Sequence, residues 1–165
     1  MPGIKENIQA LKGMLKVVPL DKMADAMDEI NLCNGTRNCG ACAVQYTELH
    51  FDGGALPVNQ DRQFDINRVA SLWDTGAKMM RFPALIQAIK KDNKPCIICF
   101  WTKGDLGSAI GNTHIINAIP DDSADGVSFI DAQKGETYTI AKMQGQLMSR
   151  DNVLCVWTPD SYSPA

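Results

Sequence analysis

The stretch TRNCGACAVQYTE, residues 36–48, places an Asn-Cys pair and a second cysteine at the opening of a helix-like segment. Three chemistries use such a spacing: half of a zinc site, a redox Cys-x-x-Cys, and a nucleophilic thiol served by a distant histidine. Cys39 and Cys42 together with Cys96 and Cys99 form a CxxC…CxxC pattern, which points to zinc. The second pair, however, lies in CIICFW, a continuous apolar run. Strand residues three apart point to opposite faces, so Cys96 and Cys99 cannot share an ion there. A thioredoxin-like pair belongs just after a strand, whereas helix, turn and helix precede Cys39. These two readings are disfavoured, and a zinc-stabilised interaction module stays as an alternative of a different class.

The nucleophile reading needs a base, and the chain has two histidines. His50 lies eleven residues beyond Cys39 on the same predicted helix, ~16 Å away at ~1.5 Å per residue; it reads as a surface residue near a helix end. His114, in GNTHIINAIP, opens a predicted strand. If residues 120–125 form a hairpin loop, Ile119 pairs with Gly126 and the register carries His114 opposite Asp131. His114, Ile116 and Ala118 then share a face with Val127, Phe129 and Asp131, apolar except for one imidazole and one carboxylate at its end. A carboxylate there orients the imidazole and stabilises its charged form. Taken singly, His114 also reads as a hydrogen-bonded structural histidine and Asp131 as a turn residue. A cysteine at a helix N-terminus shifts the balance, because unpaired N–H groups and the helix dipole favour a thiolate.

The elements that must position these groups follow from periodicity. Ile4, Ile8, Leu11 and Leu15 make one helical stripe, and Met23, Ala26, Met27 and Ile30 a second, with Asp21 as its cap. Asn34-Gly35 breaks the chain. Asn38 caps a third helix running from Cys39 to about Leu49, ended by Asp52-Gly53-Gly54. Helices are expected over 66–73 and 83–91, the latter with proline in its first turn. From Pro95 onward short β-prone segments follow, at 96–101, 113–119, 127–131 and 153–157, with a short helix or irregular excursion over 141–148. Helices followed by strands predict an α+β domain, a helical N-terminal half packed on a mostly antiparallel sheet.

A chain of 165 residues with 45% hydrophobic and 21% charged residues is expected to form one globular domain, 1–165. Residues 1–32 form a helical N-terminal extension and 33–135 the motif-bearing core. A net charge of −3 and no basic run argue against nucleic-acid binding. No apolar run reaches the ~20 residues of a membrane helix, so no membrane partner is expected. The N-terminus lacks the features of a secretory signal, so the chain reads as cytosolic or as a module of a larger exported protein. Six cysteines are too few in a chain of this length for a disulfide scaffold. Cys96, Cys99 and Cys155 lie in apolar runs and read as core hydrophobes.

Asn38-Cys39-Gly40-Ala41-Cys42-Ala43, the Gly53-Gly54 turn, Ala55-Leu56-Pro57, and then His114 followed by Asp131, Gln133 and Gly135 resemble the papain-fold toxin domains of bacterial polymorphic toxins, glutamine deamidases among them. The resemblance covers residues 38–135 and implies a papain-like cysteine-hydrolase fold. It implies a Cys39–His114–Asp131 triad that converts a glutamine side chain of a target protein to glutamate, with support for the oxyanion from Asn38 and Gln133. It implies no cofactor and no metal. Papain itself uses the second cysteine of a similar motif, so Cys42 is the runner-up nucleophile, and a papain-like protease is the alternative activity. By the same resemblance the domain would be secreted or delivered by a bacterium and act in the recipient's cytoplasm, its producer carrying a cognate immunity protein.

Overall fold

The structure, a computed structural model, describes residues 4–15, 30–52, 57–101, 113–147 and 152–159. Five helices and six strands lie within them: α1 (Ile4–Lys12), α2 (Cys39–Asp52), α3 (Ile66–Leu72), β1 (Lys78–Arg81), α4 (Phe82–Asp92), β2 (Cys96–Trp101), β3 (Thr113–Pro120), β4 (Val127–Asp131), β5 (Glu136–Tyr138), α5 (Ile140–Gln146) and β6 (Asn152–Trp157). The strands form one sheet in the order β1-β6-β2-β3-β4-β5, antiparallel at every junction. The α+β expectation holds at this level. Two strands escaped the sequence reading. β1 sits between two helices and makes the "helical half" contribute an edge strand, and β5 is a three-residue strand in a segment to which the sequence assigns no element. The sheet also extends past residue 135, since β6 lies between β1 and β2.

Alternation along the strands divides the core. Ile97, Ile115, Ile119, Ile130 and Val156 pack with α2, α3 and Leu11 on one side. Ile98, Phe100, Ile116, Ala118 and Phe129 pack with Phe82, Leu85 and Ile89 of α4 and Met143 of α5 on the other. Cys96 and Cys99 fall on opposite faces, as the spacing of three requires. α2 is buried from Cys39 to Thr47 on all sides, so it shows no single apolar stripe, and its buried polar members include Gln45 and Thr47. Its main chain packs closely: a Cβ on Gly40 would fall 1.8 Å from the Phe64 carbonyl oxygen.

Pro83 stands in the first turn of α4, and Asn93 in the left-handed conformation (φ 48) ends it. α1 is shorter than its stripe suggested. Ile4 is exposed, and the inward face carries Asn7 with Leu11. The second helix read from Met23, Ala26 and Met27 lies outside the described residues, as do Asp21 and Gly53-Gly54. The β3–β4 register differs from the expected one by two residues. Ile119 pairs with Ser128 and Ala118 with Phe129. Asp121 N–H donates to the Gly126 carbonyl to close the hairpin, so the loop takes in Gly126, and Gly126 does not pair with Ile119. A shift of two preserves the alternation, and His114 and Asp131 therefore keep their shared face.

Candidate active site

β3 begins, and β4 and β2 end, at the same end of the sheet, and the first turn of α2 meets them there. Nε2 of His114 and Oδ2 of Asp131 are 2.7 Å apart, both side chains fully buried. The Phe100 ring stands edge-on to the imidazole, centroids 6.0 Å apart. Burial pulls the His114 pKa down. The hydrogen bond to Asp131, the Cys39 sulfur beside the ring and the charges of both outweigh it and lift the value to about 9. Nδ1 has no hydrogen bond. With Nε2–H donating to Asp131, Nδ1 is the nitrogen left to take a proton from the thiol.

Cys39 is the first residue of α2 and 7% exposed. It lines a small cleft of about 70 Å³ with Arg37, Phe64, Cys99, Thr113 and Ile115 among its walls. Cys42, one turn on, is fully buried. Burial pushes its thiol pKa well up, and the charges of Cys39, Asp131, Cys33 and Asp61 add to that. Cys99, read as a core hydrophobe, instead stands half-buried in the wall of the cleft, and burial holds its pKa at about 12. Cys96 and Cys155 do lie in the core.

Asn38 departs from its expected role. It opens the helix through its main chain, Cys42 N–H donating to its carbonyl, but its carboxamide joins a buried network. Asn38 Nδ2 donates to Asn31 Oδ1 (2.8 Å), and Gln133 Nε2 donates to Asn38 Oδ1 (3.1 Å). Asn31 Nδ2 in turn donates to the carbonyls of Gly35 (2.8 Å) and Gln133 (3.0 Å). The turn before the helix is fixed from the other side by Asp61, whose Oδ1 accepts the Arg37 N–H at 2.6 Å. A Cβ at Gly35 would stand 2.6 Å from that same oxygen, so any side chain there would displace the Asp61 carboxylate. Asn38 and Gln133 are thus brought together beside Cys39, joined to the β4–β5 turn.

Two members of the site were missed in the sequence. Asn31, in the run INLCNG, is a polar residue at the end of an apolar stripe, a signal that was readable. Tyr138 OH lies 2.8 Å from Asp131 Oδ2; only the two-residue spacing from Glu136 in the unrecognised β5 points to it. His50 stands at the far end of α2, half-buried between Tyr46 and Phe51, and burial lowers its pKa. It is a packed ring and not the surface residue expected. Among the described residues no three His, Cys, Asp or Glu side chains converge as a metal-ligand group, and no helix is long and apolar enough to cross a membrane.

Neither a family model nor a curated protein sequence matches the chain. Among solved structures, the Salmonella effector SpvD, G161 variant, matches with a TM-score of 0.58 and 12% sequence identity, over 94% of this chain and 91% of that one. At that identity the likeness is one of fold, and it runs the length of the chain.

Proposed function

We propose that this protein is a cysteine-dependent amidohydrolase that deamidates a glutamine side chain of a target protein, as a bacterial effector or toxin. The observation that carries the reading is the placement of His114, with Nε2 held by Asp131 and the Cys39 sulfur beside the ring. Such an arrangement has the parts of a nucleophile, a base and a group that orients the base.

In this reaction the neutral form of His114 takes the Cys39 proton as the sulfur attacks the carboxamide carbon. The tetrahedral intermediate collapses as the C–N bond breaks, His114 protonates the leaving nitrogen and ammonia departs. Water, deprotonated by His114, attacks the thioester; the C–S bond breaks, and glutamate and the free thiol result. The Cys39 main-chain N–H and the Gln133 carboxamide, one hydrogen of which is held by Asn38, are the donors for the oxyanion. A cleft of about 70 Å³ beside the thiol is of a size to take a small flat group such as a side-chain carboxamide. The fold shared with a Salmonella effector supports delivery into a recipient cell, and a cognate immunity protein in the producer would accompany it.

The test is intact-mass and peptide spectra of recipient-cell proteins exposed to the wild type and to Cys39→Ser. New Gln-to-Glu changes on unbroken chains, absent with the variant, support deamidation. Cleaved chains would make it a protease, and identical spectra for both proteins would remove the hydrolase reading.

A further inference from the structure

Asp131 Oδ2 has two neighbours. His114 Nε2 lies 2.7 Å away and the Tyr138 hydroxyl 2.8 Å away. The same hydroxyl lies 3.1 Å from Glu136 Oε2. Tyr138 and Asp131 are buried, whereas Glu136 is exposed and lines a cleft of about 400 Å³ with Asn31 and Gln133. A phenol carries one hydrogen and can give it to one carboxylate at a time. Given to Asp131, it draws charge off the oxygen that holds the imidazole. Given to Glu136, it leaves that oxygen to His114.

We infer that Tyr138 is a positioning residue for His114, its one hydroxyl proton divided between buried Asp131 and exposed Glu136 so that β5 sets how strongly Asp131 holds the imidazole. Burial, with the charges of Asp131 and then Glu136, pushes the phenol's pKa far above its ordinary value, so Tyr138 stays a donor. The groups that face the imidazole are few. Asp131 of β4 and Cys39 of α2 act on it directly, and Phe100 of β2 adds an uncharged ring edge. Tyr138 and Glu136 act through Asp131.

The inference gives a role within the proposed hydrolase site, but its test does not depend on activity. His114 is titrated by NMR in the full chain with labelled histidine, the two imidazoles being told apart with His50→Gln. In Tyr138→Phe, Asp131 loses a competing donor and the His114 pKa should rise by about half a unit or more. In Glu136→Gln, the acceptor that competes for the hydroxyl loses its charge, the proton goes to Asp131, and the His114 pKa should fall. Opposite shifts are not the mark of a residue that merely fills space. An unmoved His114 in either variant overturns the inference; if Tyr138→Phe fails to fold, the exposed Glu136→Gln still decides. Opposite shifts in a protein without hydrolase activity would keep the inference and remove the proposed reaction. An active enzyme whose His114 does not respond would do the reverse.

Discussion

The two faces of the sheet are held in different ways. On the far side, Phe82 of α4 meets Phe129 of β4 at 5.5 Å between ring centroids, with Leu85, Ile89 and Met143 around them. On the near side, α2 is also tied by directed bonds: Asn117 Nδ2 donates to the Ala43 carbonyl at 3.1 Å and to Thr47 Oγ1 at 2.9 Å, all buried. Apolar packing tolerates small slides of a helix over a sheet, whereas a hydrogen bond fixes one register. The near face needs that register, because a shift of α2 would carry Cys39 away from His114. The far face carries His114 and Asp131 at the end of its apolar core, and the near face sets where Cys39 stands against them.

The largest expected effects separate the two. Cys39→Ser and His114→Ala should each reduce turnover by about a thousandfold or more, with Cys39→Ser unfolding near the wild-type midpoint. Leu85→Ala should behave oppositely. It empties a fully buried site on α4 and should cost about 2–5 kcal/mol in urea unfolding, while the folded fraction turns over normally. A Leu85→Ala protein that is stable but inactive would break the comparison.

Next in size is a pH effect confined to the site. The folded pKa of His114 is raised to about 9 from an ordinary 6.5, so between those values the folded state binds a proton that the unfolded chain does not. The stabilisation is therefore complete below about pH 6.5 and is lost as pH rises through about 9, at roughly 1.4 kcal/mol per pH unit at the steepest. Thermal unfolding followed across that window should show the decline in wild type and its absence in His114→Gln. A midpoint that is flat with pH in the wild type would contradict the buried ion pair.

A smaller change probes the position of α2 itself. Asn117→Ala removes both directed bonds from β3 to the helix and should cost about 1–3 kcal/mol. On the opposite face of the same strand, Ile116→Val should cost about 0.5–1.5 kcal/mol. With both proteins held well below their unfolding midpoints, Asn117→Ala should lose turnover and Ile116→Val should not. Equal rates would mean that α2 is placed by packing alone.

How much of this was legible in the sequence follows from the range of each interaction. The Cys39 helix, the four longer strands and the shared face of His114 and Asp131 rest on local periodicity, and they are present. The β3–β4 register departs from the expected one by two because the closing pair of the loop, Asp121 with Gly126, is set by turn geometry and not by strand periodicity. β1 and β5 are four and three residues long, too short for alternation to announce them. The carboxamide network was hidden for another reason. Asn31 and Gln133 are 102 positions apart, and nothing in the type of either residue names its partner. A cap is the local use of asparagine before a helix; at Asn38 the distant use prevails, with Gln133 supplying the donor.

The smallest expected effect bears on which thiol the Asn-Cys-x-x-Cys segment presents. Cys39 lines the cleft and acts on His114, whereas Cys42 is sealed in the near core with its pKa raised first by burial. Cys42→Ser should therefore cost only about 1–2 kcal/mol, the penalty of a hydroxyl in an apolar site, and leave turnover close to wild type. Alkylation supplies the second measurement. Cys33 is exposed and would react whatever its role, so the experiment uses Cys33→Ser. A brief exposure to iodoacetamide near neutral pH should then modify Cys39 ahead of Cys42 and Cys99, and inactivation should follow the extent of Cys39 modification peptide by peptide. Label accumulating on Cys42 in step with lost activity would pass the nucleophile's role one turn along the helix. It would also imply that the first turn of α2 opens in solution, since Cys42 has no exposed surface in the packed helix.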